Sequence, residues 1–149
     1  MAAWGSVRAI RVGGIVAVGF LDEQRVIVGS HDGLGVVDAA TGALLDRVAD
    51  PHGDYAWLRE DAPAMRYSDQ AGHHDIPIAG LWGGALATET DDGWHCAVDE
   101  TGARLRGPGG VVIIVADDET PRACGFSPGG RTFVFATSPT LHVVHREVG

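Results

Sequence analysis

The sequence predicts an all-β protein assembled from repeated antiparallel units of about four strands each, and three observations carry that prediction. Apolar residues fall in short β-branched runs rather than at helical spacing. Gly, Pro, Asp and Ser turn chemistry separates those runs. A pair of dipeptides, Asp32-Gly33 with Thr41-Gly42, returns sixty residues later as Asp92-Gly93 with Thr101-Gly102.

The elements follow in order. Residues 7–12, 15–20, 25–29, 34–37 and 43–48 are rich in Val, Ile and Leu, which suit a pleated, half-buried surface. Between them lie Asp22-Glu23-Gln24, His31-Asp32-Gly33 and Thr41-Gly42, where Gly supplies positive φ and Asp supplies local hydrogen bonds. The pattern resumes at 76–82, 85–90, 94–98, 111–116, 122–126, 132–137 and 141–144, giving about a dozen strands. Residues 51–75 depart from it. They are polar, carry Tyr55, Trp57, Met65 and Tyr67, and suggest a short helical turn near 56–61. They read as an inserted loop, and a connection of that length in a compact domain is usually functional or disordered. Its aromatics Tyr55, Trp57 and Tyr67 are the candidate partner-binding residues, because aromatic side chains anchor interfaces.

The sixty-residue shift extends beyond the dipeptides, with Ala43 and Leu45 matched by Ala103 and Leu105. A third, degenerate copy spans 124–137, after which Leu141-His-Val-Val144 matches Leu34-Gly-Val-Val37. With the insertion discounted, these spacings bracket a four-stranded repeat of about 40 to 50 residues. The stretch from Arg25 to Leu45, with its Asp-Gly turn and its Asp38-Ala-Ala-Thr-Gly42 turn, resembles a repeat of the quinoprotein-like (PQQ-like) β-propellers. Phe126-Ser-Pro-Gly-Gly-Arg-Thr-Phe-Val-Phe135 is similar to the Phe-Ser-Pro-Asp-Gly hairpin of WD40-like and TolB-like blades, with Gly129 standing where Asp is usual. The resemblance covers most of the chain outside the insertion and implies about three propeller-type blades in a single domain. The quinone itself is not expected, since residues 43–48 lack the docking Trp of the quinoprotein repeat.

Three blades cannot close a ring that typically takes four to eight. The expectation is therefore a homodimer completing a six-bladed ring, or another protein supplying the missing blades, with the N-terminal strand at 7–12 completing the sheet of the C-terminal strands. A β-sandwich or barrel with repetitive hairpins is the alternative architecture.

Charge narrows the partners further. The 149 residues hold 20 acidic and 11 basic side chains, a net charge of −9, and every basic residue is an arginine scattered singly among carboxylates. A phosphate backbone is bound by clustered positive charge, so nucleic acid is not an expected partner. The absence of Lys and Asn suggests a GC-rich bacterial source and excludes Schiff-base chemistry. The longest apolar run, 111–116, is far short of the ~20 residues of a membrane-spanning helix, and no signal peptide is evident. A cytoplasmic protein is expected. Cys96 and Cys124 form no C-x-x-C unit and read as buried thiols.

The densest group of metal-ligand residue types is His73-His74-Asp75, with His52, Asp54, His31 and Asp32 as outlying candidates. Imidazole and carboxylate together suit a divalent transition metal, though neighbouring residues on a strand point apart. No cofactor is otherwise predicted. His95-Cys96 and the His142, His145 pair each split across two strand faces, and the acidic turns 91–92 and 117–119 read as solubilising tips. The expected function is a non-catalytic binding and assembly module acting on proteins. The alternative is a small-molecule enzyme at the propeller axis or dimer seam, built on His73, His74 and Asp75.

Overall fold

The computed structural model describes residues 3–59, 61–99, 102–117 and 121–147. These residues form fourteen strands and one short 3-10 turn, Pro108–Gly110. Pairing between strands is antiparallel throughout. The chain runs β1 (Arg8–Arg11), β2 (Ile15–Phe20), β3 (Arg25–Ser30), β4 (Gly33–Asp38), β5 (Leu44–Ala49), β6 (Leu58–Arg59), β7 (Ala64–Asp69), β8 (Gly72–Gly80), β9 (His95–Asp99), β10 (Gly102–Arg106), β11 (Val112–Asp117), β12 (Ala123–Phe126), β13 (Thr132–Ala136) and β14 (Thr140–His145). No helix among the described residues is long and apolar enough to cross a membrane.

Three sheets result, with orders β1-β14-β13-β12, β11-β10-β9 and β5-β4-β3-β2-β8-β7-β6. The four-stranded sheet is central, and its strands β12 to β14 are buried against a sheet on each face. Alternation along β13 sends Val134 and Ala136 toward the seven-stranded sheet, where they meet Val18, Val26, Val28 and Val37. The same alternation sends Phe133 and Phe135 the other way, against Trp94, Leu105 and Val115 of the three-stranded sheet and the turn before it. Each fully buried large apolar side chain in these layers contributes about 1.5–3 kcal/mol relative to exposure.

The seven-stranded sheet curls so that one face closes on itself. Val16, Ile27, Leu34 and Val36 of β2 to β4 pack against Met65, Tyr67, Ile76 and Ile78 of β7 and β8. Two register shifts assist the curl, one in β2 between Ile15 and Ala17 and one in β4 between Val36 and Val37. A bulge bends its strand and turns successive side chains to one face, as Val16 and Ala17 show by sharing a cluster.

Turn chemistry accounts for the repeat. Asp38 Oδ1 accepts hydrogen bonds from the Ala40 and Thr41 amides at 2.8 and 3.1 Å, and the Gly42 amide donates to the Asp38 carbonyl at 2.7 Å. Gly33 opens β4 at φ +129°, with the Val48 carbonyl and the Asp50 amide standing where a Cβ would lie. The sixty-residue shift carries the β4–β5 hairpin onto β9–β10, although Thr101 lies outside the described residues, as does the acidic tip at 118–119. The match of 141–144 to 34–37 also has a structural counterpart, because β14 and β4 each stand third in an antiparallel meander.

The N-terminal strand completes the C-terminal sheet within one chain, with Arg8 opposite Val143 and Arg11 opposite Thr140. Two polar locks hold the sheets together. Glu23, in the β2–β3 turn, accepts from Ser127 Oγ at 2.6 Å, the Gly129 amide at 2.7 Å and the Arg131 amide at 3.1 Å. Its carbonyl accepts from Thr132 Oγ1 at 2.6 Å. At the other interface, buried Arg146 donates to both carboxylate oxygens of Asp92 at 2.7 and 2.8 Å and to the Gly130 carbonyl at 3.0 Å. Its guanidinium lies 4.6 Å from the centre of the Trp4 ring, which meets Trp94 edge-on.

Candidate functional site

The segment expected as an inserted loop is instead largely strand. Residues 58–59, 64–69 and 72–80 form β6, β7 and β8, and residues 56–57 make a turn that leads into β6 rather than a helix. Period-two alternation drives the pairing: Met65 and Tyr67 of β7 and Ile76 and Ile78 of β8 point into the curled face while Arg66, Ser68, His73 and Asp75 face outward.

That pairing decides where the candidate aromatics lie. Trp57 is only 6% exposed, its six-membered ring resting on Gly29, where a Cβ would come within 2.8 Å of Cζ2. Its indole Nε1 is buried without a hydrogen-bond partner among the described residues. Tyr67 is 5% exposed, and its hydroxyl donates to Asp46 Oδ2 at 2.6 Å. This bond joins β7, next to the last strand of the sheet, to β5 at its other edge, and so closes the curl. The Asp46 carboxylate on the phenol pushes the Tyr67 pKa up to about 12, with desolvation acting in the same direction. Both side chains are occupied in the core.

Tyr55 is different. It is half-buried and has φ +56°, the only non-glycine among the described residues with positive φ. A tyrosine in this region is strained, and the surroundings must hold it there. The Tyr55 amide donates to Asp50 Oδ2 at 2.8 Å, and its hydroxyl shares a 2.7 Å hydrogen bond with His31 Nδ1. Its ring meets Trp57 and Trp82 edge-on at 5.8 and 4.9 Å. Trp82, missed at the sequence level, completes this cluster.

The candidate metal ligands are separated. His73 Nδ1 shares a hydrogen bond with Ser68 Oγ at 2.6 Å, His74 Nε2 donates to Asp69 Oδ1 at 3.0 Å, and Asp75 accepts from Arg59 at 2.6 Å. The hydrogen bond from His74 holds the Asp69 carboxyl below the usual carboxylate range. His31 is engaged by Tyr55, while His52 and Asp54 are exposed in the turns before it. Among the described residues no three His, Cys, Asp or Glu side chains gather closely enough to hold a metal ion.

The open surfaces lie elsewhere. Among the described residues β5 pairs only with β4, and all six of its residues are exposed, Leu44 at 62% and Leu45 at 51%. β11 pairs, among the described residues, only with β10 and, with the residue before it, exposes Val111, Val112 and Ile114, the last at 55%. Beside β5 a groove of about 430 Å³ runs between β1 and β4, with Leu34, Val37 and Leu44 on its floor and walls and Arg11, Asp32 and Arg47 at its polar positions. The sequence runs at 43–48 and 111–116 located these strands, but not their exposure, which depends on what the other sheets cover. Comparison with protein-family models, with curated proteins and with solved structures finds no match for this chain.

Proposed function

We propose that this protein is a non-catalytic binding and assembly module that engages protein, with its stacked sheets acting as a partial propeller of about three blades. The observation that carries the reading is the exposure of apolar side chains on two unpaired edge strands, Leu44, Leu45 and Val48 on β5 and Val112 and Ile114 on β11. Edge strands present unpaired N–H and C=O groups, and proteins ordinarily blunt them with charge or cover them. Here Asp46 and Arg47 are the only charges on β5, and Asp46 is turned to Tyr67. A second copy of the chain is the favoured partner, because two such edges on one molecule let two copies complete a ring.

The reading moves the contact surface from Tyr55, Trp57 and Tyr67 to the two edges. The alternative, a small-molecule enzyme using His73, His74 and Asp75, has less support, since each of these side chains is engaged by a separate neighbour. Light scattering coupled to size-exclusion chromatography on untagged protein tests the proposal. The expected mass is twice 15.6 kDa, falling to one chain in the Leu44→Asp, Leu45→Asp double variant. A wild-type monomer at high micromolar concentration overturns self-assembly.

A further inference from the structure

We propose that Cys96 and Cys124 form a reversible, hydroperoxide-driven disulfide that cross-links the outer three-stranded sheet to the central four-stranded sheet. The two residues are 28 positions apart and stand on different sheets, yet strand alternation aims them at one place. On β9, Cys96 and Val98 face the central sheet; on β12, Cys124 and Phe126 face the outer one, and all four belong to the same apolar cluster. Both strands are edges of their sheets. The extended segment between them ties the two edges together, with the Cys96 amide donating to the Thr88 carbonyl at 3.1 Å and the Phe126 amide to the Ala87 carbonyl at 2.7 Å.

Both thiols are free and half-buried. Within that cluster each sulfur feels the other. The Cys124 thiol beside it favours the Cys96 thiolate and lowers its pKa, against an opposing desolvation, while Cys96 in turn pushes the Cys124 thiol up. When the pair loses one proton, Cys96 is the favoured thiolate and Cys124 keeps its proton. Two groups with these properties on edge strands, which can close toward each other without breaking a ladder inside either sheet, suit disulfide formation.

The chemistry balances with a hydroperoxide as oxidant. The Cys96 thiolate attacks the outer peroxide oxygen, the O–O bond breaks, hydroxide or alkoxide leaves, and Cys96 becomes a sulfenic acid. The Cys124 thiol gives its proton to the departing oxygen as its sulfur attacks the Cys96 sulfur. The S–S bond forms, the S–O bond breaks and water leaves. Two thiols lose two electrons, and the peroxide is reduced to two molecules of water, or to water and an alcohol.

Because the chain has no lysine, trypsin cuts only after arginine and places Cys96 in the peptide 67–104 and Cys124 in 123–131. Folded protein treated with a small excess of hydrogen peroxide, alkylated and digested is expected to yield these two peptides joined, short of two hydrogen atoms, on a chain of monomer covalent mass. Dithiothreitol should restore two alkylatable thiols. In Cys124→Ala, Cys96 should instead be trapped by dimedone as a sulfenic acid, whereas Cys124 in Cys96→Ala should resist the same dose. Before oxidation, iodoacetamide should modify Cys96 at least tenfold faster than Cys124 in the wild type. Persistence of both thiols, a disulfide only between chains, or sulfinic acid on Cys96 without the cross-link would each overturn the proposal.

Discussion

Replacing Glu23 by alanine tests the claim that one carboxylate clamps the seven-stranded sheet to the central one. The side chain accepts three hydrogen bonds, from Ser127 Oγ and from the Gly129 and Arg131 amides. Bonds to a charged acceptor are worth about 1.5–3 kcal/mol each, but the three donors do not lose equally. Gly129 is exposed, so its amide regains water; Arg131 is half-buried and regains part; Ser127 is buried and loses its acceptor outright. A loss of about 3 kcal/mol is therefore expected. In urea, with a slope of about 2 kcal/mol per molar for a domain of this size, the unfolding midpoint should fall by about 1.5 M without a change in slope. Glu23→Gln keeps one acceptor oxygen and should recover about half of that shift, by the same hydrogen-bond values. An alanine variant whose midpoint stays within about 0.3 M of the wild type would refute the clamp, because that shift is about 0.6 kcal/mol, less than one hydrogen bond to a charged acceptor.

Gly129→Asp, which restores the residue usual in similar hairpins, should destabilise the protein by at least about 2 kcal/mol in the same assay. A Cβ at 129 lies 2.7 Å from Glu23 Cδ, and a second carboxylate is set against the first. Tyr67 has a folded-state pKa raised above its ordinary value of 10, so its bond to Asp46 stabilises the fold fully below pH 10 and that contribution is lost as pH rises through about 12. Tyr67→Phe should flatten this basic limb in thermal melts between pH 9 and 12, which no lysine complicates. Asp92 has its carboxyl held well below the usual range by Arg146, so its contribution is present above about pH 4 and lost as pH falls below that. Asp92→Asn should cost about 1–2 kcal/mol at pH 7, moderated by the half-exposed carboxylate, and the difference from wild type should shrink toward pH 2.

Legibility in the sequence followed residue chemistry. β2 was readable to its boundaries because Ile15 to Phe20 is apolar along its length and bounded by Gly-Gly and an acidic turn. β7 and the first half of β8 were hidden by their outward-facing Arg66, Ser68, His73 and Asp75, although the inward alternation of Met65, Tyr67, Ile76 and Ile78 was present. The run at 85–90, expected as a strand, makes only isolated bridges, Ala87 with Phe126 and Glu89 with His95. What could not be read was any property set between sheets. Trp57 and Tyr67 look like surface anchors on a polar segment until the curl of the sheet buries them. The pairing of Cys96 with Cys124 depends on two sheets meeting face to face, for which spacing along the chain carries no signal. The glycine at 129 appeared as a departure from a familiar hairpin and is explained by the approach of Glu23, more than a hundred residues away.

The pairing of β1 with β14 also sets an order of events during synthesis. β1 leaves the ribosome more than a hundred residues before β14, its partner strand among the described residues. Until β14 arrives, Arg8–Arg11 has no ladder to join and the central layer between the other two sheets is missing its final hydrogen-bonded edge. Closing so long a loop is entropically expensive and places this contact late in folding. The seven-stranded sheet, whose strands all come from residues 15–80, has no such dependence and can be in place first. Folding is thus expected to proceed from that layer outward, with β1 left unpaired on the nascent chain until β14 emerges.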